Sequence, residues 1–217
     1  MSTNVFLEKT VADSYDAYYD SPLGSMIDAI EKEVIAGYLK SVNRQPVLET
    51  GCGTGHWSEF LSTMGFDVTA VDISDAMLAV AKRKNIDNVR FLNADASNLP
   101  FGNQSFGVVV TVTMLEFTVD TQKVLSEIYR VLKPGGVLIA GCLNIRSELG
   151  RTKDGDETFG KARFFSKEEL HNILLPFGDA EIRDCVYLTP AFELLDGKVD
   201  TYPVEGAFLA ARVQKTK

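Results

Sequence analysis

Three glycines at alternate positions, Gly51, Gly53 and Gly55, follow the run Val47-Leu48-Glu49-Thr50 and precede His56 and Trp57. Glycine tolerates positive φ and carries no Cβ to collide with a bound group, so such a loop can close its backbone around a ligand. Where a helix opens directly afterwards, its first N–H groups face the same ligand, an arrangement that commonly cradles a nucleotide. The register departs from the dinucleotide fingerprint G-x-G-x-x-G, whose third glycine position is taken here by His56. Three carboxylates are candidates for further chemistry. Asp72 falls 21 residues after Gly51, at the end of a strand-like run, where an acidic side chain accepts hydrogen bonds from both hydroxyls of a ribose. Asp95 follows the next strand-like run, and Glu116 follows the one after that. A carboxylate beside a reacting group serves as a general base only when the nucleophile carries a proton at working pH. His56 and His171 are the only histidines, and the cysteines Cys52, Cys142 and Cys185 are widely spaced and odd in number. Neither a metal-ligand cluster nor a disulfide framework is suggested.

The elements that must position these groups alternate between strand and helix patterns. Pro46–Thr50 reads as the first strand. Trp57, Phe60, Leu61 and Met64 recur at i, i+3, i+4 and i+7, the stripe of an amphipathic helix that Gly65 ends. Asp67–Val71 is a second strand, and Ser74 caps a helix with Met77, Val80 and Ala81 inward. Val89–Asn93 is a third strand. Ser105–Val112 is nearly continuous and β-branched, as a strand buried on both faces should be. Asp120 caps a helix carrying Val124, Leu125, Ile128, Val131 and Leu132; Lys133-Pro134-Gly135-Gly136 ends it as a turn before Val137–Leu143. Ser166 and Glu169 form a capping box for another helix. Ala180–Leu188 and Gly206–Val213 read as a closing antiparallel hairpin, because Thr189–Glu205 holds no convincing helix. Repeated β-α units of this kind give a doubly wound sheet, and ligands bind beyond the carboxyl ends of its strands.

Composition narrows the partners. A chain of 217 residues with a net charge of −8 suits one globular domain and disfavours nucleic acid, whose phosphates are neutralised by Lys and Arg. The N-terminus shows no basic stretch followed by an apolar run, and no apolar segment approaches the ~20 residues needed to span a bilayer. The expectation is a cytoplasmic protein with reduced, mostly buried thiols and no membrane span.

The string E-x-G-C-G-T-G over Glu49–Gly55 resembles motif I of the class I S-adenosylmethionine (SAM) dependent methyltransferases. Asn93-Ala94-Asp95-Ala96-Ser97-Asn98-Leu99-Pro100-Phe101 resembles that family's N-A-D-A-x-x-L-P-F motif, and Leu132–Gly136 its L-K-P-G-G segment. These landmarks fall in one order over residues 47–143. The resemblance is to the type 11 small-molecule subgroup that includes quinone-biosynthesis enzymes. It implies an α/β, Rossmann-like, doubly wound seven-stranded sheet of order 3-2-1-4-5-7-6 with the last strand antiparallel. It also implies SAM as cofactor, held by Glu49, Gly51, Cys52, Gly53 and Gly55, with Asp72 on the ribose beside Ile73 and Met77. Asp95 and Ala96 would meet the adenine, and Thr111, Val112 and Leu115 would complete the wall. A dinucleotide enzyme has no reason to keep the second motif; the lesser alternative is that Asp95 bonds only its local backbone. Single-domain organisation follows: N-terminal helices and lid over 1–45, the SAM core over 46–143, a cap over 144–165, and a C-terminal helix and closing strands over 166–217.

The N-terminal stretch is dense in tyrosine, with Tyr15, Tyr18 and Tyr19, and Pro22 and Gly24 mark a break before Ile27, Ile30, Val34 and Tyr38 recur at helical spacing. The tyrosines either seal the core edge or fold over the cofactor as Tyr15 and Tyr19 of a lid. Glu116 stands where many relatives have a histidine pair, so its role as a catalytic base and its role as a paired carboxylate both stay open. His56 reads as a packing residue. Asn144–Arg163 is irregular, and loops of that length are commonly functional. Tyr18, Asn144, Arg146 and Arg163 are the candidate acceptor contacts. With Arg151, these arginines point to an acceptor bearing an anionic group, unless they pair with Asp154, Asp156 and Glu157 on a solvated loop. The function expected is in-line methyl transfer to a small molecule. A non-catalytic SAM-binding module and a nicotinamide-dependent oxidoreductase are the alternatives.

Overall fold

A computed structural model describes residues 5–196 and 205–216. Ahead of the sheet lie α1 (Lys9–Ser14), α2 (Ala17–Asp20) and α3 (Pro22–Leu39). Then follow β1 (Val47–Thr50), α4 (His56–Thr63), β2 (Val68–Asp72), α5 (Asp75–Arg83), β3 (Val89–Asn93) and β4 (Phe106–Val112). A 3-10 turn at Leu115–Phe117 leads to α6 (Thr121–Val131), β5 (Leu132–Leu143), α7 (Glu148–Thr152), α8 (Lys167–Leu174), β6 (Ala180–Cys185) and β7 (Phe208–Gln214). The seven strands form one sheet in the order β3-β2-β1-β4-β5-β7-β6, as expected. β7 is the reversed strand, antiparallel to both β5 and β6, so it sits one place in from the edge.

The sheet buries both faces. Val47, Val108, Val110 and Ile139 pack with α3, α4 and α5 through Ile27, Ile35, Trp57, Leu61 and Leu78. Leu48, Val109, Leu138 and Ala140 pack with α6 and α8 through Leu125, Ile128, Leu170 and Leu174. Alternate residues of β1 and β4 therefore serve opposite layers, which accounts for their unbroken apolar character. Local caps form as expected: the side chains of Ser74, Asp120 and Ser166 accept from Met77, Lys123 and Glu169 backbone N–H groups at 3.2, 3.0 and 3.1 Å.

Three local expectations change. Pro22 and Gly24 are not a break but the first turn of α3, with Ser21 as N-cap accepting from the Gly24 N–H at 3.0 Å. Pro fits there because its missing N–H would be unpaired anyway, and a Cβ on Gly24 would sit 2.0 Å from the Tyr18 carbonyl oxygen. Lys133–Gly136 is not a turn between helix and strand; it lies inside β5, whose pairing with β4 shifts between Phe106 and Val108. Gly135, at φ 74°, takes up the resulting bulge. The irregular cap contains α7 and a further 3-10 turn at Lys153–Gly155. Of Thr189–Glu205, residues 197–204 lie outside the described residues; before them, Leu188 and Leu194 form an isolated antiparallel bridge.

Candidate active site

The carboxyl ends of β1, β2, β3 and β4 meet at the glycine loop. Gly51, Gly53 and Gly55 have φ of 72°, 52° and 81°, values that L side chains adopt only with strain. The three are not equivalent. A Cβ on Gly51 would lie 2.2 Å from Met114 Cγ and one on Gly55 2.9 Å from Phe91 Cζ, whereas nothing lies within 4 Å of the Cβ position of Gly53. Two glycines thus permit close packing, and the middle one leaves open the face that a ligand approaches.

Asp72 stands across this opening. Its Oδ2 accepts from the Gly53 N–H at 2.8 Å and its Oδ1 from the Ser74 N–H at 2.8 Å. Each oxygen keeps a further lone-pair direction for a ligand hydroxyl. Burial pushes this carboxyl above its ordinary range, against the pull of those N–H donors. Ile73 beside it is exposed, and Met77 is buried one turn into α5. Asp95 is exposed at the end of β3 with Oδ1 bonded to the Ser97 N–H at 2.7 Å, and Ala96 next to it is half-buried. That local bond leaves Oδ2 available. Thr111 of β4 and Thr50 of β1 are register partners, and both hydroxyl oxygens are buried without a hydrogen-bond partner among the described residues. Val112 and Leu115 are buried behind them.

Two loop residues face inward, away from the opening. Glu49 accepts from the Ser58 hydroxyl at 2.5 Å and is pushed up to about 8 by burial, so it pins α4 against β1. Cys52 is buried, and burial raises its thiol well above the ordinary range.

The N-terminal helices close over the loop. Thr54 donates to Asp16 at 2.5 Å, and Lys84 pairs with the other oxygen of Asp16 at 2.7 Å. Tyr19 stacks on His56 with ring centroids 3.6 Å apart and planes within 6°. His56 Nε2 lies 2.7 Å from Asp28 Oδ1 and 2.9 Å from Lys32 Nζ. The expected packing histidine is therefore the clamp between lid, α3 and α4, and burial lowers its pKa, favouring the neutral ring. Phe6 meets Phe117 edge-on at 4.8 Å and Tyr15 at 6.0 Å. Tyr15 meets Tyr19 at 6.0 Å, and Tyr19 meets Tyr18 at 5.3 Å. An aromatic row thus runs from the loop after β4 across the lid.

Glu116 sits at the root of that row, only 2 % exposed. Its Oε1 accepts from the Leu143 N–H at 2.6 Å, while Oε2 is buried with no hydrogen-bond partner among the described residues. Burial outweighs the Leu143 bond and pushes the carboxyl up to about 7. A second carboxyl, the half-buried Glu31, was not among the residues the sequence singled out. It lies on α3 one turn from Ile27 and one from Ile35, both buried. Among the described residues it makes no hydrogen bond or ion pair, and burial pushes it up to about 8, with repulsion from Asp28 and Glu116 adding to the effect. The only signal in the sequence was its i+4 spacing from Ile27.

The expected acceptor contacts are dispersed. Asn144 is fully buried, but its amide donates to Glu205 at 3.0 Å and to the Gly206 carbonyl at 2.9 Å, while its oxygen accepts from the Arg146 N–H. It anchors the start of β7. The Arg146 side chain is 59 % exposed, within 4.0 Å of Glu168 and 3.9 Å of Glu205. Arg151 pairs with Glu148, and Arg163 is exposed over the Phe165 ring at 5.3 Å. None pairs with Asp154, Asp156 or Glu157 among the described residues; Arg163 is tied to the Glu116 turn by its backbone, its N–H donating to the Glu116 carbonyl at 2.8 Å, while its side chain is exposed. Tyr18 is exposed at the outer end of the aromatic row. A cleft on the cap, lined by Leu149, Thr152, Lys153 and Phe192, contains none of the expected site residues. No group of three His, Cys, Asp or Glu among the described residues could hold a metal ion, and no helix among them is long and apolar enough to cross a membrane.

A glycine loop with an open middle position, an acidic residue at the tip of β2 and this strand order define a Rossmann-like SAM-binding protein. The profile of a family described as "Methyltransferase domain" matches residues 48–140. The malonyl-[acyl-carrier protein] O-methyltransferase of Hamiltonella defensa is 30% identical over 194 residues, 86% of this chain and 74% of that protein. The demethylmenaquinone methyltransferase of Paenarthrobacter aurescens is 43% identical over 95 residues, 44% of this chain and 37% of that protein. A Thermotoga maritima structure described as a SAM-dependent methyltransferase, possible histamine N-methyltransferase, superposes with a TM-score of 0.75 at 25% identity, covering 98% of this chain and all of that one. The chain belongs to the class I SAM-dependent methyltransferases. It is an enzyme whose cofactor is SAM.

Proposed function

We propose that Asp72 holds the ribose hydroxyls of SAM, that the Gly51–Gly55 backbone receives its amino-acid end, and that Asp95 accepts from the adenine amino group. Bound SAM supplies a methyl group already activated on a sulfonium. The protein's work is then positioning and exclusion of water, which the clamp of Tyr19 on His56 and the aromatic row support. The acceptor is a small molecule that enters beside Glu116, the candidate base. The single observation carrying this reading is the open Cβ face of Gly53 held 2.8 Å from the Asp72 carboxylate at its N–H.

The named relatives differ in their acceptors, so no acceptor is carried over from them. An anionic acceptor would have to meet Arg146 and Arg163 at the outer rim, where Glu168 and Glu205 already attend Arg146. Three free, buried cysteines suit a reducing compartment, and we place the enzyme in the cytoplasm. Titration calorimetry with SAM tests the cofactor site. Hydrogen bonds to a charged group contribute about 1.5–3 kcal/mol, so Asp72→Asn should weaken SAM roughly ten- to a hundred-fold. Unchanged affinity would remove Asp72 from the site; no binding by the parent protein would end the reading.

A further inference from the structure

Beside the lid are two carboxyls that the cofactor assignments leave unused, Glu116 buried and Glu31 half-buried. Glu31 occupies the core-facing stripe of α3, where the spacing calls for an apolar residue between Ile27 and Ile35. Glu116 projects from the 3-10 turn after β4 with one oxygen held by Leu143 and the other buried and unpaired. Lys32, the cation nearest to Glu31 in sequence, spends its contacts on Asp28 at 2.7 Å and His56 at 2.9 Å, and its charge offsets the rise at Glu31 only in part. The aromatic row Phe117, Phe6, Tyr15 and Tyr19 spans the gap between the turn that bears Glu116 and the lid above α3.

Withdrawing two carboxyls from water, one wholly and one in part, costs free energy unless a cation joins them. Aromatic faces attract a cation and do nothing for an anion. We propose that the methyl acceptor is a basic amine, held as its ammonium form by Glu31 and Glu116 against the tyrosine and phenylalanine faces. This rests on the methyltransferase reading and names its acceptor class. Three observations converge on it: the placement of Glu31 on a buried stripe, the unpaired oxygen of Glu116, and the aromatic row between them. Burial chiefly raises Glu31, and repulsion from Asp28 and, less, from Glu116 adds to it; that repulsion is relieved once a cation enters.

An ammonium has no lone pair, so the amine first gives its proton to Glu116. The free nitrogen pair then forms the new C–N bond as the methyl's C–S bond breaks. The sulfur keeps that electron pair and leaves as the neutral thioether S-adenosylhomocysteine. The methylated amine carries the positive charge, and Glu116 returns its proton to water when the lid opens. Glu31 touches the ammonium throughout, which makes it the specificity-determining residue.

The experiment uses the full chain saturated with S-adenosylhomocysteine and a calorimetric panel from ethylamine to 2-phenylethylamine. Each amine is matched with its alcohol, and the largest also with 3-phenylpropionate. Buffers of different ionisation enthalpy count the protons exchanged. At least one amine should bind ten-fold or more tightly than its alcohol, releasing protons near pH 7.5 as the cation displaces them from the carboxyls. Glu31→Gln should erase that preference and lower the proton count, while leaving S-adenosylhomocysteine affinity within two-fold, which shows that the site is folded. Arg146→Met should change neither. If no amine is preferred, if Glu31→Gln leaves the preference intact, or if 3-phenylpropionate binds best through Arg146, the proposal is wrong. If the Gln variant weakens SAM but not S-adenosylhomocysteine, the carboxyls attend the cofactor's sulfonium instead and the proposal is likewise overturned. Failure of the parent to bind either cofactor form would refute the underlying reading and not this inference alone.

Discussion

Replacing Glu31 by glutamine should make the ligand-free protein more stable, and by more as the pH rises. Burial pushes the Glu31 carboxyl from 4.5 to about 8. Between those values the folded state binds a proton that the unfolded chain has released. For such a group stability is fully present below pH 4.5 and is lost as pH rises towards 8, at about 1.4 kcal/mol per pH unit. From 4.5 to pH 7 the cost amounts to at most roughly 3 kcal/mol, which glutamine, of nearly the same shape and never charged, avoids. For a domain of this size 1 kcal/mol moves the midpoint by about 2–4 °C. Thermal melts of the ligand-free protein should therefore show the variant several degrees above wild type at pH 7, by at most about 6–12 °C, with the gap closing by pH 5. Glu49 and Glu116, pushed up to about 8 and about 7, add slope of the same sign to both proteins, while His56, pulled below 6.5, works weakly against it. The difference between the two proteins isolates Glu31. Equal midpoints at pH 8, or a gap that does not narrow on acidification, would mean that this carboxyl is hydrated, and the argument from its enclosure would fall. A stabilised variant with impaired acceptor binding is the pattern expected where function is kept at the expense of stability.

Asp95→Asn should weaken SAM more than it weakens an analogue whose adenine amino group is replaced by hydrogen; equal losses by calorimetry would mean that Asp95 only shapes its turn. Gly51→Ala should abolish measurable SAM binding, because its Cβ would meet Met114 Cγ at 2.2 Å with φ at 72°, whereas Gly53→Ala meets no atom of the protein. The latter should lower stability by only about 1–2 kcal/mol for its left-handed backbone. A Gly53→Ala variant that binds SAM normally would show that the open face is not the ligand's.

What the sequence determined is what acts over short separations or repeats with a fixed period. The caps Ser74, Asp120 and Ser166 close hydrogen bonds onto groups three residues away, so neighbouring residue types suffice to specify them. The loop Gly51–Gly55 and Asp72 are legible because each lies at the tip of a strand whose apolar run defines its end. Strand order followed from the resemblance in motifs, since nothing local tells β7 to insert between β5 and β6. Tertiary structure decided the fate of the charges. In the sequence Arg146, Arg151 and Arg163 are conspicuous and Glu31 is one more acid in a helix. In the fold, the arginines lie at the rim with glutamate partners or over a ring, Asn144 is spent on β7, and Glu31 is half-buried on the stripe of Ile27 and Ile35. The reason is physical: an arginine on an irregular cap reaches water at little cost, whereas a carboxyl on the inner stripe of α3 has its direction fixed by the sheet packed beneath it.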